Sequence, residues 1–148
     1  MIDGVIVKPL RTIPDDRGPI RHMLRADWPE FTSFGELYFS YIEHQAIKAW
    51  RKHTRMTMQL AVPAGAVKIV LYDGREDSPT FKTLDTMTLG VEGDSTYALL
   101  IVPHGIWNGF QGAADQQSVV VNCASIPHDP NESVALPFDS DLIPFGWT

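Results

Sequence analysis

Cysteine is nearly missing from this chain: Cys123 is the only one in 148 residues. No internal disulfide can form, and a lone thiol fits a reducing compartment. Long apolar runs are missing too. The opening residues, MIDGVIVKPL, hold an apolar stretch too short for a secretory signal. Nothing approaches the roughly 20 apolar residues of a membrane-spanning helix, so a cytoplasmic protein with no membrane partner is expected. No segment sustains the capped i, i+3, i+4 apolar spacing of a long helix. Positive charge is also short. A formal net charge of −6 disfavours a nucleic-acid partner, which calls for a basic face against the phosphate backbone.

What remains describes a folded β protein. The length suits one domain over residues 1–148, and 44% hydrophobic with 20% charged residues is ordinary globular composition. Eleven glycines and eleven prolines, scattered along the chain, point to many turns between short elements. Gly4 to Leu10 reads as a first strand and Ile20 to Arg25 as a short extended segment. The turn between them, Ile13 to Pro19, presents Arg17. Gly35 to His44 alternates, with Leu37, Phe39 and Tyr41 on one face and Tyr38, Ser40 and Ile42 on the other. Ile47 to Tyr72 reads as two adjacent strands joined at Pro63-Ala64-Gly65, with the His53 imidazole facing a cavity. Thr80 to Leu89, Tyr97 to Val102, Trp107 to Phe110 and Gln117 to Ala124 follow. The tail from Ile126, with four prolines, promises little regular structure. Eight or nine strands at intervals of about ten residues predict an all-β jelly-roll barrel or sandwich.

Chemistry concentrates around His53. Lys48, Arg51, Lys52, His53 and Arg55 form a cationic segment with no acid among them, which suits a phosphorylated ligand; a solvated strand edge carries such charges equally well. Tyr38, Tyr41, Trp50 and Trp107 could stack on a sugar or base, or simply fill a core. Cys123, inside the apolar run VVVNCA, is expected to be a buried, inert thiol. A histidine-built metal site needs several imidazoles and a carboxylate. Here the segment reads Arg51-Lys52-His53, and after the Pro103-His104-Gly105 turn comes Asn108 rather than a histidine, so no metal and no cofactor are expected.

Several motifs in order carry a resemblance: Asp16-Arg17-Gly18, the Trp50 to His53 segment, Tyr72 to Phe81 (YDGREDSPTF) and Val102 to Phe110 (VPHGIWNGF). With these the chain resembles the cupin superfamily and, within it, the dTDP-4-dehydrorhamnose 3,5-epimerase family, over nearly its whole length. The resemblance implies a metal-free epimerase or isomerase of a nucleotide-linked 4-keto-6-deoxy sugar, with His53 as base, Asp139 as its orienting partner, and a homodimer. Arg17, Arg51, Arg55 and Arg75 are then candidates for the diphosphate, although Arg75 in Asp-Gly-Arg-Glu-Asp serves equally as a partner of its own neighbours, and Tyr38, Tyr41, Trp107, Asn108 and Asn122 are the further candidate substrate contacts. The departures are specific. The family's proton-donating tyrosine falls at Asn122, its arginine three residues before the histidine at Trp50, and its lysine near Met58. Tyr38, Tyr41 and Tyr72 remain to supply a different acid. These changes leave a single proton transfer or a ketoisomerisation open, and with them the alternative of a degenerate cupin that binds a small ligand without turnover.

Overall fold

The computed structural model covers Met1–Thr148. In chain order its strands are β1 (Ile6–Pro9), β2 (Thr12–Ile13), β3 (Ile20–Arg21), β4 (Glu36–Ile42), β5 (Ile47–His53), β6 (Met58–Ala64), β7 (Ala66–Asp73), β8 (Leu84–Gly90), β9 (Ala98–Val102), β10 (Ile106–Gly112), β11 (Ser118–Ala124) and β12 (Ser133–Ala135). There is no helix, so none is long and apolar enough to cross a membrane.

Two five-stranded sheets face each other, one ordered β1-β9-β6-β11-β4 and the other β12-β5-β10-β7-β8. Strands β4 to β11 pass between the sheets in jelly-roll order, and β1 and β12 extend one edge of each. The expected jelly roll is therefore the fold. Period-two alternation builds its interior: Leu60 and Val62 of β6, Val67, Ile69 and Leu71 of β7, and Leu100 and Val102 of β9 belong to one core of 17 buried residues. The opposite faces are covered by loops and tail. Gln59, fully buried on the outside of β6, accepts from Thr32 N (2.9 Å) and donates to Ser33 O and Cys123 O (2.8 Å each). On the outside of the second sheet, Val70 and Tyr72 pack with Trp50 and Ile143, against which Phe145 and Trp147 lie.

Two readings from sequence need correction. Ile47 to Tyr72 holds three strands, not two, and they are not neighbours in a sheet. The chain leaves the second sheet after His53, crosses to the first as β6, and returns at Gly65 as β7. Gly65 makes that return possible: its φ is +75°, and a Cβ there would stand 2.2 Å from Ser118 Oγ. The Thr80 to Leu89 alternation starts pairing only at Leu84, because Thr80 to Lys82 belong to a turn. The tail has little regular structure, as the sequence predicts, and its one strand, β12, pairs with β5 through Ser133↔His53, Val134↔Lys52 and Ala135↔Arg51.

The turn after β7 is held by one carboxylate. Asp73, fully buried, accepts from Arg75 Nε (2.8 Å) and Nη2 (2.9 Å), Ser78 Oγ (2.6 Å) and Thr80 Oγ1 (2.7 Å). Burial pushes its carboxyl up, but the bonds from Arg75, Ser78 and Thr80 outweigh it and hold the group well below the usual carboxylate range. Because the folded value is depressed, this stabilisation is complete above the unfolded value of about 3.9 and is lost as pH falls below it. Asp73→Asn cannot satisfy the same donors and leaves the Arg75 charge short of its partner. We expect a loss of about 2 to 4 kcal/mol in denaturant unfolding at pH 7, with the gap to wild type narrowing as the pH is lowered through the acid range.

Candidate active site

Between the sheets, at the β4 and β5 end, the core gives way to an open cavity of about 450 Å³, a size typical of small-molecule sites. One wall is the first sheet, through Tyr38 and Ser40 of β4, Met58 and Leu60 of β6, and Asn122 of β11. The other is the second sheet, through Lys48, Arg51 and His53 of β5, with Asn108 and Phe110 of β10. A smaller hollow adjoins it and shares Tyr38, Arg51 and His53.

Strict alternation would send Lys48 and Arg51 to opposite faces of β5. The pairing with β10 shifts register at Asn108/Gly109, where Asn108 faces Arg51 but Gly109 faces Ala49. The extra residue is Trp50. This bulge flips the parity, so that Lys48, Arg51 and His53 all line one cavity. Lys48 Nζ donates to Ser40 Oγ (3.1 Å) and Tyr41 O (2.6 Å), and Arg51 Nη1 donates to Ser133 Oγ (2.8 Å). Asn108 Nδ2 donates to Arg51 O at 2.8 Å and pins the bulge. Gly109 belongs to the same device, because a Cβ there would meet Trp147 at 2.7 Å and Ala49 at 2.8 Å.

His53 is 8% exposed, and its Nδ1 lies 2.5 Å from Oε1 of Glu132, itself 4% exposed. An ionised carboxylate only accepts, so Nδ1 carries the hydrogen and Nε2 keeps a lone pair. Burial pushes the Glu132 carboxyl up. The His53 hydrogen bond and charge, together with the backbone N–H groups of Met56 and Arg55, outweigh that and hold it below its usual range. Both N–H groups reach the second oxygen, Oε2, at 3.3 Å. Glu132 is thus ionised near neutral pH, fixed at both oxygens, and aimed at one ring nitrogen.

The structure gathers Tyr38, Arg51, His53, Asn108 and Asn122 around the cavity, as the sequence predicts, and leaves the other candidates elsewhere. The carboxylate on His53 is Glu132 and not Asp139, which lies exposed in the turn from Pro137 to Ser140. Tyr41 sits on the outer face of β4 at 51% exposure, one residue out of phase with Tyr38 and Ser40. Arg17 is 91% exposed in its turn and bonds Asp15 through Nε and Nη2. Arg75 is consumed by Asp73, and Arg55 pairs with Asp129 at 2.7 Å. Trp107 lies on the far side of the second sheet beneath Lys52, whose Nζ is 4.9 Å from the ring centre. His44 lies outside the cavity and bonds Ala114 O through Nδ1 at 2.7 Å. Cys123 is buried, and burial pushes its thiol up, as expected of an inert side chain.

Sequence reasoning missed Glu132, and it placed Lys48 only in the cationic segment, not among the site residues. The one cue to Glu132 is that it is the last glutamate of the chain, in a tail whose other acids are aspartates; the cue to Lys48 is hidden by the bulge.

Comparison with known proteins supplies the family. The family model for dTDP-4-dehydrorhamnose 3,5-epimerase matches residues 1–148. A "Probable low-salt glycan biosynthesis epimerase" of Haloferax volcanii is 32% identical over 151 residues, covering 99% of this chain and 94% of its own. The spore coat polysaccharide biosynthesis protein SpsL of Bacillus subtilis is 30% identical over 149 residues, covering 99% and 97%. The crystal structure of a dTDP sugar isomerase from Desulfovibrio desulfuricans superposes with a TM-score of 0.94 at 45% identity, over 99% of this chain and 92% of that one. With the whole length matched and the fold shared, the chain belongs to the dTDP-4-dehydrorhamnose 3,5-epimerase family of sugar-nucleotide epimerases and isomerases.

Proposed function

We propose that this enzyme epimerises or isomerises a dTDP-linked 4-keto-6-deoxy sugar by moving the proton on a carbon beside the keto group, with His53 Nε2 as the base. The observation that carries the reading is the His53–Glu132 pair, 2.5 Å apart, at the wall of a cavity otherwise lined by cations and neutral groups. A proton alpha to a ketone needs a base active near neutral pH, and an ionised carboxylate on Nδ1 fixes the tautomer and steadies the imidazolium that forms. Lys48 and Arg51 supply positive charge for the enolate oxygen or for the substrate's phosphates. No step calls on a cofactor. By the resemblance, the tyrosine, lysine and arginine of a two-centre epimerase of this family fall at about Asn122, near Met58 and at Trp50, which favours reaction at a single centre.

The test is incubation with dTDP-4-keto-6-deoxyglucose in deuterated water, following the C3 and C5 protons by NMR. Exchange is expected at one of the two carbons. Tight binding with exchange at neither would overturn the proposal and leave a binding module.

The homodimer implied by family membership has a surface to match. Phe34, Leu37, Phe39 and Tyr41 stand 68%, 52%, 55% and 51% exposed in one stripe on the outer face of β4 and the loop before it, more aromatic surface than an isolated subunit usually leaves in water. A second copy seated there would cover it. Sedimentation should give twice the chain mass for wild type and the chain mass for Phe39→Asp; a monomeric wild type rules this surface out.

A further inference from the structure

We propose that the Tyr38 hydroxyl is the acid that completes the proton transfer begun at His53, held in place for that role by Asn122. The inference rests on the proton-transfer reading above and adds the second half of the reaction to it. His53 projects from β5 in one sheet and Tyr38 from β4 in the other, and both line the same cavity. A sugar ring lying between the sheets therefore has the imidazole on one face and the phenol on the opposite one. Inversion at carbon demands that arrangement, because the new proton must arrive on the face the old one did not leave.

The other protic side chains of the cavity suit this step less well. Lys48 and Arg51 stand on β5, the same wall as His53, and Lys48 Nζ donates to Ser40 Oγ and Tyr41 O. Ser40 shares the Tyr38 wall, but an alkyl hydroxyl is a much weaker acid than a phenol. Arg51 does not release a proton in proteins. Tyr38 differs in how it is bonded. Asn122 Oδ1 accepts the backbone N–H of Gln59 at 3.1 Å, which turns Nδ2 toward Tyr38, and that nitrogen donates to the phenol oxygen at 2.9 Å. The phenol oxygen is an acceptor in this bond, so its own hydrogen stays available to the cavity. The same N–H remains to steady the phenolate once that hydrogen has gone. Asn122 is thus a positioning residue, and a backbone donor fixes its orientation.

The step balances without a further reactant. His53 Nε2 takes the proton from the carbon beside the ketone, and the C–H electron pair moves to the oxygen as the enolate forms. When the enolate collapses, its carbon bonds the Tyr38 proton on the opposite face and the carbonyl is restored. Solvent then carries a proton from the imidazolium to the phenolate.

The test is Tyr38→Phe with dTDP-4-keto-6-deoxyglucose in deuterated water. The substitution removes one oxygen from a side chain that is 38% exposed, and an unchanged unfolding midpoint verifies the fold. Formation of the inverted product should fall by at least about 100-fold. Deuterium should still enter the same carbon with its configuration retained, within about fivefold of the wild-type rate, since His53 can return what it has exchanged with solvent. Inversion at the wild-type rate overturns the assignment and leaves the base intact. Loss of exchange together with inversion also overturns it, by making Tyr38 a binding group. Absence of exchange in the wild type defeats the underlying reading itself, and is told apart because it precedes any substitution.

Discussion

On the proposed mechanism, replacing His53 with alanine should abolish solvent exchange at the sugar carbon and lower kcat by about 10³ to 10⁴-fold, while the nucleotide end of the substrate should still bind. The cavity contains no second base able to stand in. Its other nitrogen groups are a lysine that donates to Ser40 Oγ and Tyr41 O, an arginine that donates to Ser133 Oγ, and amides with no basic lone pair. Glu132 is turned away from the cavity by its bonds to His53 Nδ1 and to the N–H groups of Arg55 and Met56. Added imidazole should restore part of the exchange by filling the space the ring leaves. Isotope exchange by NMR, with binding followed separately by calorimetry, reads both parts of the result. Exchange that persists in the alanine variant at more than a tenth of the wild-type rate would remove His53 from the base role.

The second large effect concerns the partner. Glu132→Gln should cost about 10³-fold in kcat, by reversing the imidazole rather than by losing it. Oε2 accepts two backbone N–H groups, at 3.3 Å each, so the glutamine's carbonyl oxygen takes that side. Its NH₂ group then faces His53 Nδ1, which must become the acceptor. The hydrogen moves to Nε2, the nitrogen that has to receive the substrate's proton, and the base is lost although the contact survives. Asp139→Asn, in contrast, neutralises an exposed turn and should leave kcat within about twofold. Kinetics on the two variants decide the matter: equal loss, or loss only at Asp139, would return the role to the residue the family pattern suggests. Removing the Glu132 charge also removes stability that the depressed carboxyl contributes above the usual carboxylate range and loses as pH falls below it.

The jelly roll was legible in the sequence because alternation and turn chemistry are local, and strands β4 to β11 each carry one or the other. The partition of β4 into a Tyr38–Ser40–Ile42 face and a Leu37–Phe39–Tyr41 face was equally plain. Which of the two lines the cavity depends on the sheet opposite, and Tyr41 was assigned to the ligand for want of that. On β5 the rule itself fails, since the bulge at Trp50 reverses parity midway. No local pattern announces a bulge that packs against a glycine in the neighbouring strand. Arg75 was readable either way: Asp-Gly-Arg holds its own ion pair within three residues, and the buried Asp73 settles it in favour of structure. His53 stood out by its chemistry. Glu132 did not, because a partner 79 residues away is visible only when the tail is docked.

That docking has a bearing on how the enzyme fails. Glu132 immediately precedes β12, a strand of three residues at the margin of its sheet, where opening costs far less than melting the whole. When this margin frays, the imidazole loses its tautomer while the 17-residue core is untouched. Warming would then silence the enzyme reversibly before it denatures, and cooling would restart it without refolding.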